Sequence, residues 1–206
     1  MKLTEAHAAL ASLAVPTFTT SEAAAALRIE RNYCSKVLGR LAETRHVVQL
    51  ARGRWAIPER TRPFMLPEAL TAPSPSYVSL WSALYHHGMI EQIPDVIYAA
   101  TLAPTRRVDT PLGVVSLHQV APGFFFGYET DPVTGVKLAT PEKALLDTLY
   151  LRPARSRRFR ALPELELPRS FSRRRVLSMT DRIASASRRT LVRRELERVV
   201  REARAA

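Results

Sequence analysis

The stretch Thr19-Thr20-Ser21-Glu22-Ala23-Ala24-Ala25-Ala26-Leu27-Arg28-Ile29-Glu30-Arg31-Asn32-Tyr33-Cys34-Ser35-Lys36-Val37-Leu38-Gly39-Arg40-Leu41 decides the reading of the front of the chain. Thr19 and Glu22 have the spacing of a capping box, in which the hydroxyl takes one amide proton and the carboxylate reaches back for another. The helix it opens, Thr20 to Leu27, is short and Ala-rich, which suits close approach to a neighbouring helix. Arg28-Ile29-Glu30 makes a brief turn. A polar-faced helix then runs from about Arg31 to Thr44, because Cys34, Val37, Leu38 and Leu41 recur at i, i+3, i+4 and i+7. Its other faces carry Arg31, Asn32, Tyr33, Ser35, Lys36, Gly39 and Arg40. Cys34 sits on the apolar stripe and is expected to be a small core residue rather than a nucleophile.

Upstream, Leu3, Ala6, Leu10 and Leu13 mark a helix that ends before Pro16. Downstream, Val47 to Leu50 and Trp55 to Ile57 are short β-like runs, and Ala51-Arg52-Gly53-Arg54 joins them through a permissive glycine. Helix, short helix, turn, polar-faced helix and basic hairpin follow the order of a winged helix-turn-helix, expected over residues 1–60. A helix of this kind enters the major groove with its N-terminal side chains at the base edges. Arg31 and Asn32 have the chemistry to pair with guanine and adenine, and Tyr33 stands at the same end. Ser35, Lys36 and Arg40 are placed for phosphates, and Arg52 and Arg54 for phosphates or the minor groove. Two blander alternatives are a winged helix used for protein contacts and an ordinary solvated helix face.

Residues 58–76 carry Pro58, Pro63, Pro67, Pro73 and Pro75, so a linker is expected over 61–76, with one helical turn around Met65 to Leu70. Ser76 is expected to cap a helix from Tyr77 to His87, closed by Gly88. Strands are expected at Val96 to Thr101, Arg106 to Val108, Val114 to Gln119, Phe124 to Glu129 and Val136 to Ala139. The turn-like segments Asp109-Thr110-Pro111-Leu112-Gly113 and Asp131-Pro132-Val133-Thr134-Gly135 separate two pairs of them. Such meander-like pairing predicts an α+β domain with an antiparallel or mixed sheet over 77–206, not an alternating Rossmann layout. Thr140-Pro141 then starts a helix to about Leu151, with Ala144, Leu145, Thr148 and Leu149 on its apolar face.

These pieces together resemble a known family. They are Tyr77-Val78-Ser79-Leu80-Trp81-Ser82-Ala83-Leu84, Asp109-Thr110-Pro111-Leu112-Gly113, Phe125-Phe126-Gly127-Tyr128 and Ala139-Thr140-Pro141-Glu142-Lys143-Ala144-Leu145-Leu146-Asp147, following the winged helix. In this order the chain resembles the AbiEi antitoxins of type IV toxin–antitoxin, abortive-infection systems. The resemblance implies a cytoplasmic autorepressor whose front domain binds inverted repeats in its own promoter. It implies a second domain that counters a nucleotidyltransferase-like toxin, with or without direct contact. Glu30 departs from the pattern, since many relatives place Ser or Thr at that cap.

Charge adds a separate clue. The 206 residues carry a net +12, from 31 Lys+Arg against 19 Asp+Glu. Residues 1–60 hold nine basic and five acidic residues, 61–151 five and eight, and 152–206 seventeen and six. Front and tail are therefore basic and the middle slightly acidic. Arg155, Arg157, Arg158 and Arg160, with Arg173, Arg174 and Arg175, form a possible surface for the toxin or for nucleic acid. Ser170 or Ser172 is expected to cap a helix through about Ala186, which puts the last three arginines against the helix dipole and calls for an outside anion or an acidic neighbour. A final helix, about Arg189 to Ala203, shows an apolar seam of Leu191, Leu196, Val199 and Val200.

Other classes find little support. A single cysteine excludes an internal disulfide, and no stretch is apolar enough for a membrane span. No secretory leader is expected, because no basic region leads into an apolar run over Met1 to Val15. There is no Gly-rich phosphate loop and no Gly-x-Ser-x-Gly turn. Pro94-Asp95 echoes a restriction-nuclease signature, but no acidic residue stands two positions before Lys137 or Lys143. Of the five histidines only His86 and His87 are adjacent, and neighbouring helical residues diverge too far to share a metal. No enzyme activity, cofactor or metal is expected.

Overall fold

The computed structural model describes residues 2–151 and 164–205. They form an α+β protein with eight α-helices, a three-stranded antiparallel sheet near the front, a six-stranded mixed sheet and a long final helix.

The front elements are α1 (Leu3–Ala11), β1 (Thr17–Thr19), α2 (Thr20–Leu27), α3 (Arg31–Glu43), β2 (Val48–Ala51) and β3 (Arg54–Ala56). The sheet order is β1-β3-β2. β1 has only three residues, too few for a periodic signal, and exists because Phe18 is buried at the position paired with Trp55. The capping box forms: the Glu22 amide donates to Thr19 Oγ1 at 3.2 Å and the Thr19 amide to Glu22 Oε2 at 2.6 Å. α2 stops at Leu27 because Arg28 turns left-handed at φ 52°. Cys34, Val37, Leu38 and Leu41 of α3 are buried against Ala6, Leu10, Ala23, Leu27 and Trp55. Burial also pushes the Cys34 thiol pKa up, as suits a core residue.

The stretch read as a linker is packed. It carries α4 (Leu66–Thr71), close to the expected turn of helix. Leu66 and Leu70 are buried in one cluster with Leu50 and Ala56 of the front sheet and with Ala99, Val115 and Leu117 of the large sheet. Proline at the start of a helix sacrifices no hydrogen bond, so Pro67 is compatible with this turn.

Tyr77 and Val78 differ from expectation. Ser76–Val78 is a strand, β4, and the helix α5 begins only at Leu80 and runs to His86. Ser79 occupies the cap position, yet its hydroxyl makes no cap bond and donates instead to Asp147 Oδ2 at 2.7 Å. β5 (Val96–Thr101), β6 (Arg106–Thr110), β7 (Gly113–Gln119), β8 (Tyr128–Thr130) and β9 (Lys137–Ala139) complete the sheet in the order β6-β7-β5-β4-β9-β8. The expected hairpins are present, β6 with β7 and β8 with β9. The simple meander is not, because β5 pairs with β7 and β4 with β9 in parallel. Parallel pairing needs a crossover, which turn residues do not announce. Phe124 lies in a 3-10 turn with its ring buried, so strand β8 starts later than expected.

Helix α6 (Pro141–Leu151) lies in the middle of the second core, and residues of every face are buried, Glu142, Lys143 and Asp147 among them. Thr140 caps it, accepting the Lys143 amide at 3.3 Å. α7 (Arg173–Met179) is capped by Ser172 and ends well before Ala186. A 3-10 turn, Thr180–Arg182, separates it from α8 (Ala186–Glu202), which Ser185 caps. The seam of α8 is Val192, Leu196, Val199 and Val200; Leu191 is 48% exposed, one residue and so about 100° away from Val192. Two short strands, β10 (Glu166–Leu167) and β11 (Arg204–Ala205), pair in parallel. None of the helices described is long and apolar enough to cross a membrane.

Candidate nucleic-acid interface

Helix α3 divides into two faces. Its buried stripe leaves Arg31, Asn32, Tyr33, Ser35, Lys36 and Arg40 exposed, with Tyr33 at 44%. Gly39 lies between Ser35 and Lys36 on the helical wheel, opposite the buried stripe, and nothing comes within 4 Å of where a Cβ would stand. The middle of the face is therefore bare backbone that another molecule can approach closely. Among the described residues, Arg31, Lys36, Arg40 and Arg52 make no ion pair. Their charges are uncompensated at short range.

Two of the expected contacts are altered. Ser35 Oγ donates back to the Arg31 carbonyl at 3.1 Å, so in this rotamer its proton is not offered to a phosphate. Arg54 turns inward and is half-buried. Its guanidinium donates to the Ala69 carbonyl at 2.9 Å and also to Ala72 O. Cations are favoured at such a helix C-terminus, and Arg54 thereby braces the hairpin on α4 instead of facing outward. Arg52, at the hairpin tip, remains exposed. Glu30 holds the cap position of α3 in extended conformation without a side-chain cap bond.

The middle of the chain hides a site that sequence reasoning missed. Lys143 and Asp147 are both fully buried, with Nζ 2.7 Å from Oδ1. Asp147 Oδ2 accepts from Tyr77 Oη at 3.0 Å and from Ser79 Oγ at 2.7 Å. The ammonium also donates to the Phe124 carbonyl at 2.9 Å and lies over the rings of Phe124 and Phe126, 3.5 and 4.3 Å from their centroids. Burial lowers the pKa of Lys143, and the neighbouring carboxylate opposes that shift. Burial and then the charge of Asp147 raise the Tyr77 phenol well above its usual value. No reactant reaches these sealed atoms. The network ties β4, α6 and the turn at Pro122–Phe124 together, so it positions elements instead of performing chemistry. Its signal in the sequence was two opposite charges, Lys143 and Asp147, four apart in a predominantly apolar helix.

The arginines of the tail divide. Arg155, Arg157, Arg158 and Arg160 lie outside the described residues. Arg173, Arg174 and Arg175 are exposed in the first turn of α7. An acidic neighbour is present: buried Glu142 Oε1 accepts the Ser172 amide at 2.9 Å and Arg175 at 3.4 Å. Arg173 and Arg174 make no ion pair among the described residues. No group of three or more His, Cys, Asp or Glu side chains among those residues is arranged to hold a metal. The chain matches no protein-family model and no curated protein.

Proposed function

We propose that this chain is a non-enzymatic, DNA-binding antitoxin of the AbiEi type, a cytoplasmic repressor of its own promoter. The order α1-β1-α2-α3-β2-β3 with sheet order β1-β3-β2 is read as a winged helix-turn-helix. The single observation carrying the proposal is the outer face of α3, where uncompensated Arg31, Lys36 and Arg40 accompany Asn32 and Tyr33. Such a face enters a major groove with Arg31 and Asn32 toward the bases and Lys36 and Arg40 on phosphates. Arg52 reaches the flanking backbone from the hairpin. Arg54 is assigned to bracing the hairpin, and Ser35 to accepting rather than donating.

The remainder of the chain is assigned to countering a nucleotidyltransferase-like toxin. The order of the motifs around Tyr77, Gly127 and Thr140 supports that assignment.

A gel shift of the full chain on its own upstream promoter with inverted repeats tests the DNA reading. Lys36→Ala/Arg40→Ala is expected to lose about tenfold or more in affinity, as two phosphate contacts disappear. Equal affinities remove this face from the proposal. Co-expression with the neighbouring toxin gene tests the second part: rescue of growth is expected from the full chain, and rescue by residues 1–65 alone would contradict the two-part assignment.

A further inference from the structure

A cleft of about 360 Å³ opens beside strands β5 and β6 and is lined by no residue of α3. Trp81 of α5 makes its aromatic wall, and the buried ring of Tyr98 on β5 stands behind it, with centroids 6.3 Å apart and planes at 61°. His118 stacks on the Tyr98 ring with centroids 6.1 Å apart, which fixes that ring. Ile93 forms an apolar lip that is 68% exposed. Gln92 and Asp95 stand on the rim, exposed and with no hydrogen-bond or ion-pair partner among the described residues. Arg107 completes the rim. Its contact with Asp109 is 3.5 Å long and both side chains are exposed, so that pair holds the guanidinium weakly.

The size falls within the usual range for small-molecule sites, about 300–1,000 Å³. The chemistry narrows the class. An aromatic wall suits a flat ring, because stacking on aromatic side chains is how single bases are held. A lone carboxylate accepts from an exocyclic amine, as Asp does with the amine of cytosine. An amide can donate or accept on the same edge. A guanidinium at the mouth is matched to a phosphate.

We propose that this cleft binds one nucleotide whose base carries an exocyclic amine. The base lies against Trp81, its amine donates to Asp95, Gln92 bonds the same edge and the phosphate sits on Arg107. The nucleotide is either free or part of a single-stranded RNA. This site is independent of the promoter reading, since it shares no residue with α3 or the hairpin.

Calorimetric titration of the full chain tests it with four probes: cytidine 5′-monophosphate, uridine 5′-monophosphate, cytidine and an oligocytidylate. Uridine monophosphate has a carbonyl where cytidine monophosphate has the amine, and N3–H in place of a bare N3, so it turns an acceptor toward Asp95 and is expected to bind about tenfold more weakly. Asp95→Asn is expected to abolish that preference. Arg107→Gln is expected to weaken cytidine monophosphate about tenfold and leave cytidine unchanged. Both side chains are exposed, so these variants keep the fold. Lys36→Ala/Arg40→Ala is expected to leave monophosphate binding unchanged, which separates this site from the promoter face. Oligocytidylate binding tighter than the monophosphate assigns the site to RNA, and the reverse assigns it to the free nucleotide. No binding of either cytidylate, equal affinity for the two monophosphates, or indifference to Asp95→Asn overturns the proposal.

Discussion

Lys143 Nζ and Asp147 Oδ1 meet at 2.7 Å one turn apart on α6, both sealed from water, and Asp147 also accepts the hydroxyl protons of Tyr77 and Ser79. Removing one partner of such a pair strands the other charge in the core. Asp147→Ala is therefore expected to cost about 3–5 kcal/mol. Lys143→Met/Asp147→Leu removes both charges and is expected to cost less, although Tyr77 and Ser79 lose their acceptor at about 1–3 kcal/mol each. Urea unfolding of both variants makes the comparison. A double variant no more stable than the single one would falsify the idea that the charges brace each other.

Gly127 marks the other side of that brace. It sits at φ +75°, and a Cβ there would come within 3.1 Å of Lys143 Cβ and Cγ. Gly127→Ala is thus strained in backbone and crowded against a side chain that cannot move. A loss of about 2–3 kcal/mol is expected from left-handed strain plus overpacking, again read from urea midpoints. A cost under about 0.5 kcal/mol, the range of ordinary surface changes, would show that the turn yields freely.

His118 supplies a pH dependence. Burial lowers its imidazole from 6.5 to about 4. Between those values the unfolded chain takes up a proton that the folded chain does not. Its contribution is thus fully present above about pH 6.5 and is lost as pH falls toward 4, by up to about 3 kcal/mol. His118→Gln, which can still bond Ser116, removes the titrating group. Thermal or urea melts across this window are expected to show a shallower fall in the variant. Parallel profiles would place the acid sensitivity elsewhere.

Glu30 is an unused cap beside the N-terminus of α3. Glu30→Ser supplies a hydroxyl for the open amides and is expected to add about 1 kcal/mol of stability. It also removes a negative charge next to the proposed phosphate contacts. Melting temperature and promoter affinity should both rise. A variant that gains stability without affinity would place the Glu30 carboxylate away from the DNA.

Much of the front half was legible, because capping and helical periodicity are local. Thr19 with Glu22, the stripe from Cys34 to Leu41 and the glycine hairpin each act within a few residues. The misread positions are those where distant partners decide. Tyr77 and Val78 extend because β5 and β9 flank them. Arg54 turns inward because α4 ends beside it. The Pro-rich stretch has the prolines and small polar residues typical of tethers, yet Leu66 and Leu70 find apolar surface on both sheets. The outer face of α3 was legible as composition, but the altered states of Ser35 and Arg54 depend on geometry. The cleft at Trp81 joins residues from three elements, and periodicity within any one of them is silent about it.

The position of α4 has a consequence for how such a chain can be divided or inherited. Leu66 and Leu70 give one apolar filling to two sheets, so a cut on either side leaves one sheet with a bare patch. A recombinant that exchanges the front sixty residues for those of a relative must also match Leu50 and Ala56 to this helix. Exchange of the front part between chains is therefore restrained by a six-residue helix, and the two parts are expected to vary together.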